Sequence, residues 1–271
     1  GAEGTLGIVT AAVLKLFPLP KSFATAMVAI GNPEAAVALL GFLRERVGER
    51  VSGFELLSRV CMELIVKHIA GSRDPLPQPH PWYVLVELSD STAGGALDAL
   101  FEEALGAAAE AGIVQDAAIA ASEAQRDAFW KLRESITEAQ KLDGVSVKHD
   151  VSVPVSRVPE LIENATAVLA KRFPEVRVVA FGHVGDGNIH YNVSRPGFDE
   201  AQAFFNNGPE VNRIVYEVVR ALDGSISAEH GLGVLKREEI THYKGAIELE
   251  LMRSIKQALD PHNLMNPGKV L

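Results

Sequence analysis

Apolar residues in this chain recur with two periods, and the switches between those periods divide it into elements. Phe23 to Ile30 reads as a strand, and Asn32-Pro33-Glu34 supplies an N-cap, a first-turn proline and an acidic first turn for a helix ending near Gly48. Leu56 to Ala70 is expected to form a second helix, Pro75 to Pro81 a loop, Trp82 to Leu88 a strand, Ala96 to Ala111 a helix stopped at Gly112, and Ile113 to Ala120 a strand. Ser122-Glu123-Ala124-Gln125 is a capping-box signature that starts a helix through about Gln140, with Arg133 and Thr137 projecting from one face. Val145 to Val153 then reads as a strand, Val158 to Arg172 as a helix and Val176 to Phe181 as a strand, with helices near Val211 to Leu222 and Ala246 to Leu259. Strand-helix-strand units combined with a strand, tight turn, strand succession predict an α+β fold. The sheet would be ferredoxin-like and antiparallel with helices on one face, rather than doubly wound and parallel. Pro18, Pro20 and Lys21 mark a boundary near residues 20–22, and another falls near Gly224.

The tight turn carries the chemistry. In Gly182-His183-Val184-Gly185-Asp186-Gly187-Asn188-Ile189-His190-Tyr191-Asn192-Val193, an Asp186-Gly187 hairpin loop would place His183 directly across from His190. Their Cβ atoms would lie about 5 Å apart, so both imidazoles would reach one divalent metal. The period of two puts Asn188, His190 and Asn192 on that same face and Ile189, Tyr191 and Val193 on the other. The bland alternative is a polar hairpin whose histidines merely hydrogen-bond nearby. Some forty residues on, Ser227-Ala228-Glu229-His230-Gly231-Leu232-Gly233 sets a carboxylate beside another imidazole, offering a third ligand and a base together. Two histidines and one carboxylate leave positions open on a metal, as catalytic sites do.

Composition narrows the field. A chain of 271 residues with 47% hydrophobic content can bury a substantial core. A net charge of −9 without a Lys/Arg cluster argues against nucleic-acid binding. Cys61 is the only cysteine, so no intrachain disulfide forms, and its apolar surroundings suit a buried structural thiol. No apolar run approaches the roughly 20 residues that span a bilayer, and the start lacks the pattern of a signal peptide. A cytoplasmic protein is expected, with peripheral association at the inner membrane compatible with this composition, as is a homodimer. Gly1-Ala2-Glu3-Gly4-Thr5-Leu6-Gly7-Ile8-Val9-Thr10 runs from a glycine loop into a strand, and reads as the interior of a longer protein. Its glycines would suit close approach to a pyrophosphate, yet the loop opens a strand and not a helix, so the Rossmann mechanism does not apply and an ordinary turn remains open.

Four stretches together carry a resemblance: the opening Gly-Ala-Glu-Gly-Thr-Leu-Gly-Ile-Val-Thr, Gly-His-Val-Gly-Asp-Gly-Asn-Ile-His, Ser-Ala-Glu-His-Gly-Leu-Gly, and the terminal Leu-Asp-Pro-His-Asn-Leu-Met-Asn-Pro-Gly-Lys. In this order they resemble the FAD-linked oxidases of the vanillyl-alcohol oxidase type, and within them the D-2-hydroxy-acid branch of D-2-hydroxyglutarate and D-lactate dehydrogenases and the glycolate oxidase D subunit. The resemblance implies the C-terminal part of a flavoenzyme, with residues 1–20 trailing from the FAD-binding domain, 21–224 binding substrate and metal, and 225–271 completing the active site and returning toward the flavin. It implies a metal on His183, His190 and Glu229, zinc favoured over manganese or iron, with His230 as general base. Phe129 to Glu138 and Lys148 to Pro154 resemble further family stretches, which implies substrate contacts from Arg133, Thr137, Lys148 and Asn192. Gly4, Gly7, Ile8 and Asn266 would border an FAD that the fragment alone does not retain. The implied reaction oxidises a small D-2-hydroxy acid, with hydride passing to FAD and then to an unidentified electron acceptor; the isolated fragment is expected to be inactive. Two other classes stay open on the residues themselves: a metal-dependent hydrolase using the same donors to activate water, and a noncatalytic metal-stabilised binding module.

Overall fold

A computed structural model describes all 271 residues. The elements follow in the order β1 (Ser22–Ile30), α1 (Pro33–Val47), β2 (Val51–Ser58), α2 (Arg59–His68), β3 (Trp82–Asp90), α3 (Ala96–Glu110), β4 (Asp116–Ile119), α4 (Glu123–Glu134) and α5 (Ile136–Asp143). They continue with β5 (Asp150–Ser152), α6 (Val158–Arg172), β6 (Arg177–His183), β7 (Asn188–Ser194), α7 (Phe198–Phe205), α8 (Gly208–Ala221), α9 (Ile240–Tyr243) and α10 (Ala246–Leu259). One seven-stranded sheet runs in the order β4-β1-β3-β2-β6-β7-β5, and every pairing is antiparallel. The β4-β1-β3-β2 half is the ferredoxin-like arrangement expected from the strand and helix succession, and β6-β7-β5 extends it.

Two layers cover the sheet. On β1 the residues Ala24, Ala26, Val28 and Ile30 face the larger core, while Met27 and Ala29 face a smaller one. The larger core gathers α1, α3, α6 and α8, which is the expected helix layer. The opposite face adds a second layer: α2, α4 and α5 bring Met62, Ile65, Phe129, Leu132 and Ile136 against Leu57, Leu85 and Phe181. Both faces are dry in the middle of the sheet, so β1 and β3 are almost wholly buried rather than alternating with solvent. Cys61 lies in the second layer with no exposure, and burial pushes its thiol up to about 11, as suits a structural residue.

Caps legible in the sequence form as expected. Asn32 accepts from Ala35 N at 2.9 Å, and Ser122 accepts from Gln125 N at 3.3 Å while Gln125 Oε1 accepts from Ala121 N at 2.7 Å. Four expectations need correction. Val51 to Ser58 is a strand, so the helix expected from Leu56 begins only at Arg59; pairing on both edges, with β3 and with β6, holds the apolar run extended. The helix expected to reach Gln140 breaks at Ser135 into α4 and α5. The strand expected over Val145 to Val153 shrinks to Asp150–Ser152, with an isolated bridge from Val147 to Val193. The strand expected after the opening glycine loop does not form either: residues 7–21 form no regular element and leave Ile8, Val13, Leu16, Phe17 and Leu19 at least 74% exposed. No helix is long and apolar enough to cross a membrane.

Candidate active site

The hairpin forms with a longer connection than Asp186-Gly187 alone would give. Val184–Asp186 is a 3-10 turn followed by Gly187 in the left-handed region (φ 71°), and the register pairs Phe181, not His183, with His190. A left-handed Gly187 is required twice over, since a Cβ there would sit 1.9 Å from the carbonyl oxygen of Val153. The slip is two residues, so the faces survive and His183 remains on the side of His190, with ring centroids 6.1 Å apart.

What stands opposite His183 is Glu55 on β2. Glu55 is buried; its Oε1 lies 2.5 Å from His183 Nδ1 and its Oε2 accepts from Arg133 Nε at 2.8 Å. One carboxylate thus fixes an imidazole and a guanidinium together. Arg133 lies over the Phe181 ring, 5.0 Å from its centroid. The same face of α4 anchors further along the sheet, where Arg126 and Trp130 donate to the buried Glu87.

A second buried carboxylate, Asp150 on β5, organises the Glu229-His230 loop. Its Oδ2 accepts from the backbone N–H of Glu229 at 2.9 Å and of His230 at 2.8 Å. Glu229 Oε1 then lies 3.3 Å from His190 Nε2, and the His230 ring stacks on His190 at 5.6 Å with a 22° interplanar angle. Asp150, His190, Glu229 and His230 bring one donor atom each to within 4.8 Å of one another. Asp150 Oδ1 is buried without a hydrogen-bond partner, 3.9 Å from His190 Nδ1. An orphaned buried oxygen among nitrogen and oxygen donors fits a divalent cation. His183, expected as a ligand, stands beside this cluster and is held by Glu55.

These groups open into a cavity of about 560 Å³ lined by Arg133, Thr137, Lys148, Asp150, Asn192, Glu229, His230 and Lys236 among others. Burial lowers the ammonium of Lys148, with repulsion from Lys141 adding to it, and burial likewise lowers Lys236. Burial, helped by Arg133, also lowers the imidazole of His190 and favours its neutral form. Asn192 lines the cavity, but its amide donates to Gln140 and its oxygen accepts from the His149 N–H. A larger cavity of about 890 Å³ lies elsewhere, beside Arg59, Trp82 and Arg177. The smaller one holds the chemistry: in the larger, Arg59 is already paired with Asp74 and Arg177 with Asp143.

Of the residues expected beside FAD, Gly4 takes a left-handed φ of 71° and Gly7 has open space where a Cβ would stand. Ile8 is 78% exposed, and Asn266 donates its amide to the carbonyl of Glu3 at 2.6 Å. These residues fit one edge of a flavin site. Glu55, Asp150, Lys236 and Glu3 belong to the site and were not singled out from the sequence. Asp150 lies inside the Lys148 to Pro154 stretch, and Glu55 is a lone charge in an apolar run, the one local signal available for it.

The family model for FAD linked oxidases, C-terminal domain, matches residues 19–270. D-2-hydroxyglutarate dehydrogenase of Xanthomonas citri pv. viticola is 38% identical over 272 residues, covering 100% of this chain and 56% of the relative. The mitochondrial D-2-hydroxyglutarate dehydrogenase of Rattus norvegicus is 36% identical over 273 residues, covering 100% of this chain and 49% of the relative. The chain therefore spans about half the length of these curated relatives. Among solved structures, 4-ethylphenol oxidase of Gulosibacter chungangensis superposes with a TM-score of 0.62 at 16% identity, over 95% of this chain and 55% of that one, a likeness of fold.

Proposed function

The chain belongs to the FAD linked oxidases, C-terminal domain, family, and from that premise we propose that it is the substrate-side half of a flavoprotein dehydrogenase acting on a D-2-hydroxy acid. D-2-hydroxyglutarate is the substrate this reading puts first, because the relatives matched over the whole chain carry that name. The observation that carries the reading is the single cavity joining Arg133 and Lys148 to His190, Glu229 and His230. Two cations suit a substrate with two carboxylates, and an adjoining donor cluster suits a hydroxyl between them.

When bound, FAD would supply the hydride acceptor, and a divalent metal, zinc in first place with manganese or iron equally suited to these donors, would supply Lewis acidity at the hydroxyl oxygen. His190 and Glu229 would hold the metal, with Asp150 Oδ1 beside them; His183, the third ligand that the resemblance implies, stands outside this cluster with its Nδ1 on Glu55. Arg133, fixed through its Nε by Glu55, turns the rest of its guanidinium to the cavity and orients the substrate carboxylate. Lys148 adds a point charge for the other end. His230 is the general base: its Nδ1 lies 3.6 Å from Asp150 Oδ2, and its Nε2, 3.7 Å from Glu229, takes the hydroxyl proton. Residues 1–20 belong in this reading to the edge of the FAD-binding part, 21–224 to the substrate domain, and 225–271 to a return segment. Two contacts support the return: Asn266 reaches Glu3 and Lys256 donates to the carbonyl of Thr5.

Steady-state turnover of the full-length protein with D-2-hydroxyglutarate, D-lactate, D-malate and glycolate, read with an artificial electron acceptor, tests the proposal. The highest kcat/KM is expected for D-2-hydroxyglutarate, together with flavin absorbance in the purified protein. Turnover of none of the four, or a protein free of flavin that hydrolyses esters, would sink it.

A further inference from the structure

The loop that carries Glu229 and His230 is suspended between two carboxylates. Asp150 takes the N–H groups of Glu229 and His230 on one side. On the other side of Gly231, Glu3 takes two more N–H groups: Leu232 N, 229 residues away, donates to its Oε1 at 2.7 Å and Gly233 N to its Oε2 at 2.8 Å. Two successive amides converging on one carboxylate form an anion-binding concavity. Gly231 between the two grips has φ +80°, and a Cβ there would meet the Glu3 carboxylate carbon at 2.7 Å, so the carboxylate packs directly against the residue after His230.

Glu3 is held for this contact at a cost. Ala2 to Thr5 is a turn closed by Thr5 N on the carbonyl of Ala2 at 2.9 Å, with φ of 51° at Glu3 and 71° at Gly4. Positive φ at both central positions favours glycine, so a glutamate at the first of them is strained. Backbone strain at one residue, whose side chain closes two charge-assisted hydrogen bonds beside an active-site loop, is the signature of a residue kept for position. Asn266 grips the Glu3 carbonyl, and Lys256 the Thr5 carbonyl, at 2.6 and 2.7 Å, so the turn is itself anchored.

We infer that Glu3 is a positioning residue that latches the Glu229-His230 loop to the N-terminal segment, so that the donor set at His190 is complete only when residues 2–5 are docked. The inference rests on the reading of that cluster as a metal and base site. Glu229 and His230 are 45% and 66% exposed at their side chains, and besides Asp150 they meet the core through His190.

In the full-length protein, Glu3→Gly removes the carboxylate while relieving the turn, so loss of folding does not confound it. Expected are a thermal midpoint near that of the wild type, faster hydrogen exchange at the Leu232 and Gly233 amides, and zinc affinity weaker by about 10- to 100-fold, as for other residues that orient metal ligands. With D-2-hydroxyglutarate, kcat falls more than KM rises. Glu3→Gln keeps one acceptor and is expected to fall between. Wild-type exchange and wild-type zinc affinity in Glu3→Gly would overturn the latch. A wild-type protein that takes up no zinc would instead sink the metal reading, and the exchange at Leu232 and Gly233 would then decide the latch alone.

Discussion

The sheet floor of the site and the loop above it reach comparable order by opposite means. Glu55, Asp150 and His190 sit on paired strands, and the floor carboxylates are at most 6% exposed. The Glu229-His230 loop is in no strand and has its backbone N–H groups taken by Asp150 and Glu3, with Ser227 Oγ donating to the Gly231 carbonyl. Side chains on strands inherit their aim from the core beneath; a loop must have its backbone amides answered one by one. The comparison separates residues that support both fold and chemistry from residues that support chemistry alone.

The floor should suffer most from mutation. Glu55→Ala leaves the guanidinium of Arg133 and the imidazole of His183 without their shared acceptor, and is expected to lower stability by about 3–5 kcal/mol in urea unfolding, as removal of one partner of a buried pair does. A loss under about 1 kcal/mol would show that the floor is no better secured than the loop.

An intermediate effect follows from His149, the residue before Asp150. It is 1% exposed, with Nδ1 on the carbonyl of Tyr191 at 2.7 Å and Nε2 against Asn212, and burial pushes its imidazole down to about 4. Nδ1 faces a carbonyl and Nε2 lies 3.0 Å from Asn212 Oδ1, so both ring nitrogens are engaged inside the core. The folded-state value lies below the ordinary 6.5, so in the window between them the unfolded chain binds the extra proton and stability falls as pH falls. Stability is expected to drop by about 2 kcal/mol between pH 7.5 and 5, the part of the window crossed at 1.36 kcal/mol per pH unit. Urea unfolding at the two values measures it, and His149→Gln should flatten most of that slope; an unchanged slope would remove His149 from the floor.

The smallest effect on the fold belongs to the loop. His230→Gln is expected to change stability by less than about 0.5 kcal/mol, as exposed substitutions do. Turnover should fall about 10²- to 10⁴-fold with metal content unchanged, as loss of a general base does. Unchanged turnover would refute the base assignment, and a large loss of stability would erase the distinction between loop and floor.

Legibility in the sequence follows the same division. Helix α1 was readable because its Asn32 cap and first-turn proline are local, and α6 and α10 because their apolar periodicity is. His190, Glu229 and His230 were readable as reactive types in short motifs, Arg133 and Lys148 only through the resemblance, and one cavity collects all five. Glu55 was hidden because its partners lie 78 and 128 residues away and β2 resembles the start of a helix until both its edges are paired. The hairpin register was hidden for a related reason: Gly187 answers to the carbonyl of Val153, a contact that Asp-Gly turn preference does not contain. Glu3 was invisible as a loop anchor because an N-terminal glycine-rich turn gives no hint of a partner near residue 232.

The pairing of β2 with β6 spans only Glu55 to Leu57 against Phe181 to His183. The ferredoxin-like half and its three-stranded extension are therefore sewn along a seam three residues long, and the Glu55–His183 contact is one of its stitches. Any relative shear of the two half-sheets would act on that contact, and it would reach Arg133 through the other oxygen of Glu55. Substrate anchoring and imidazole placement are in that sense a strain gauge mounted on the joint of the sheet.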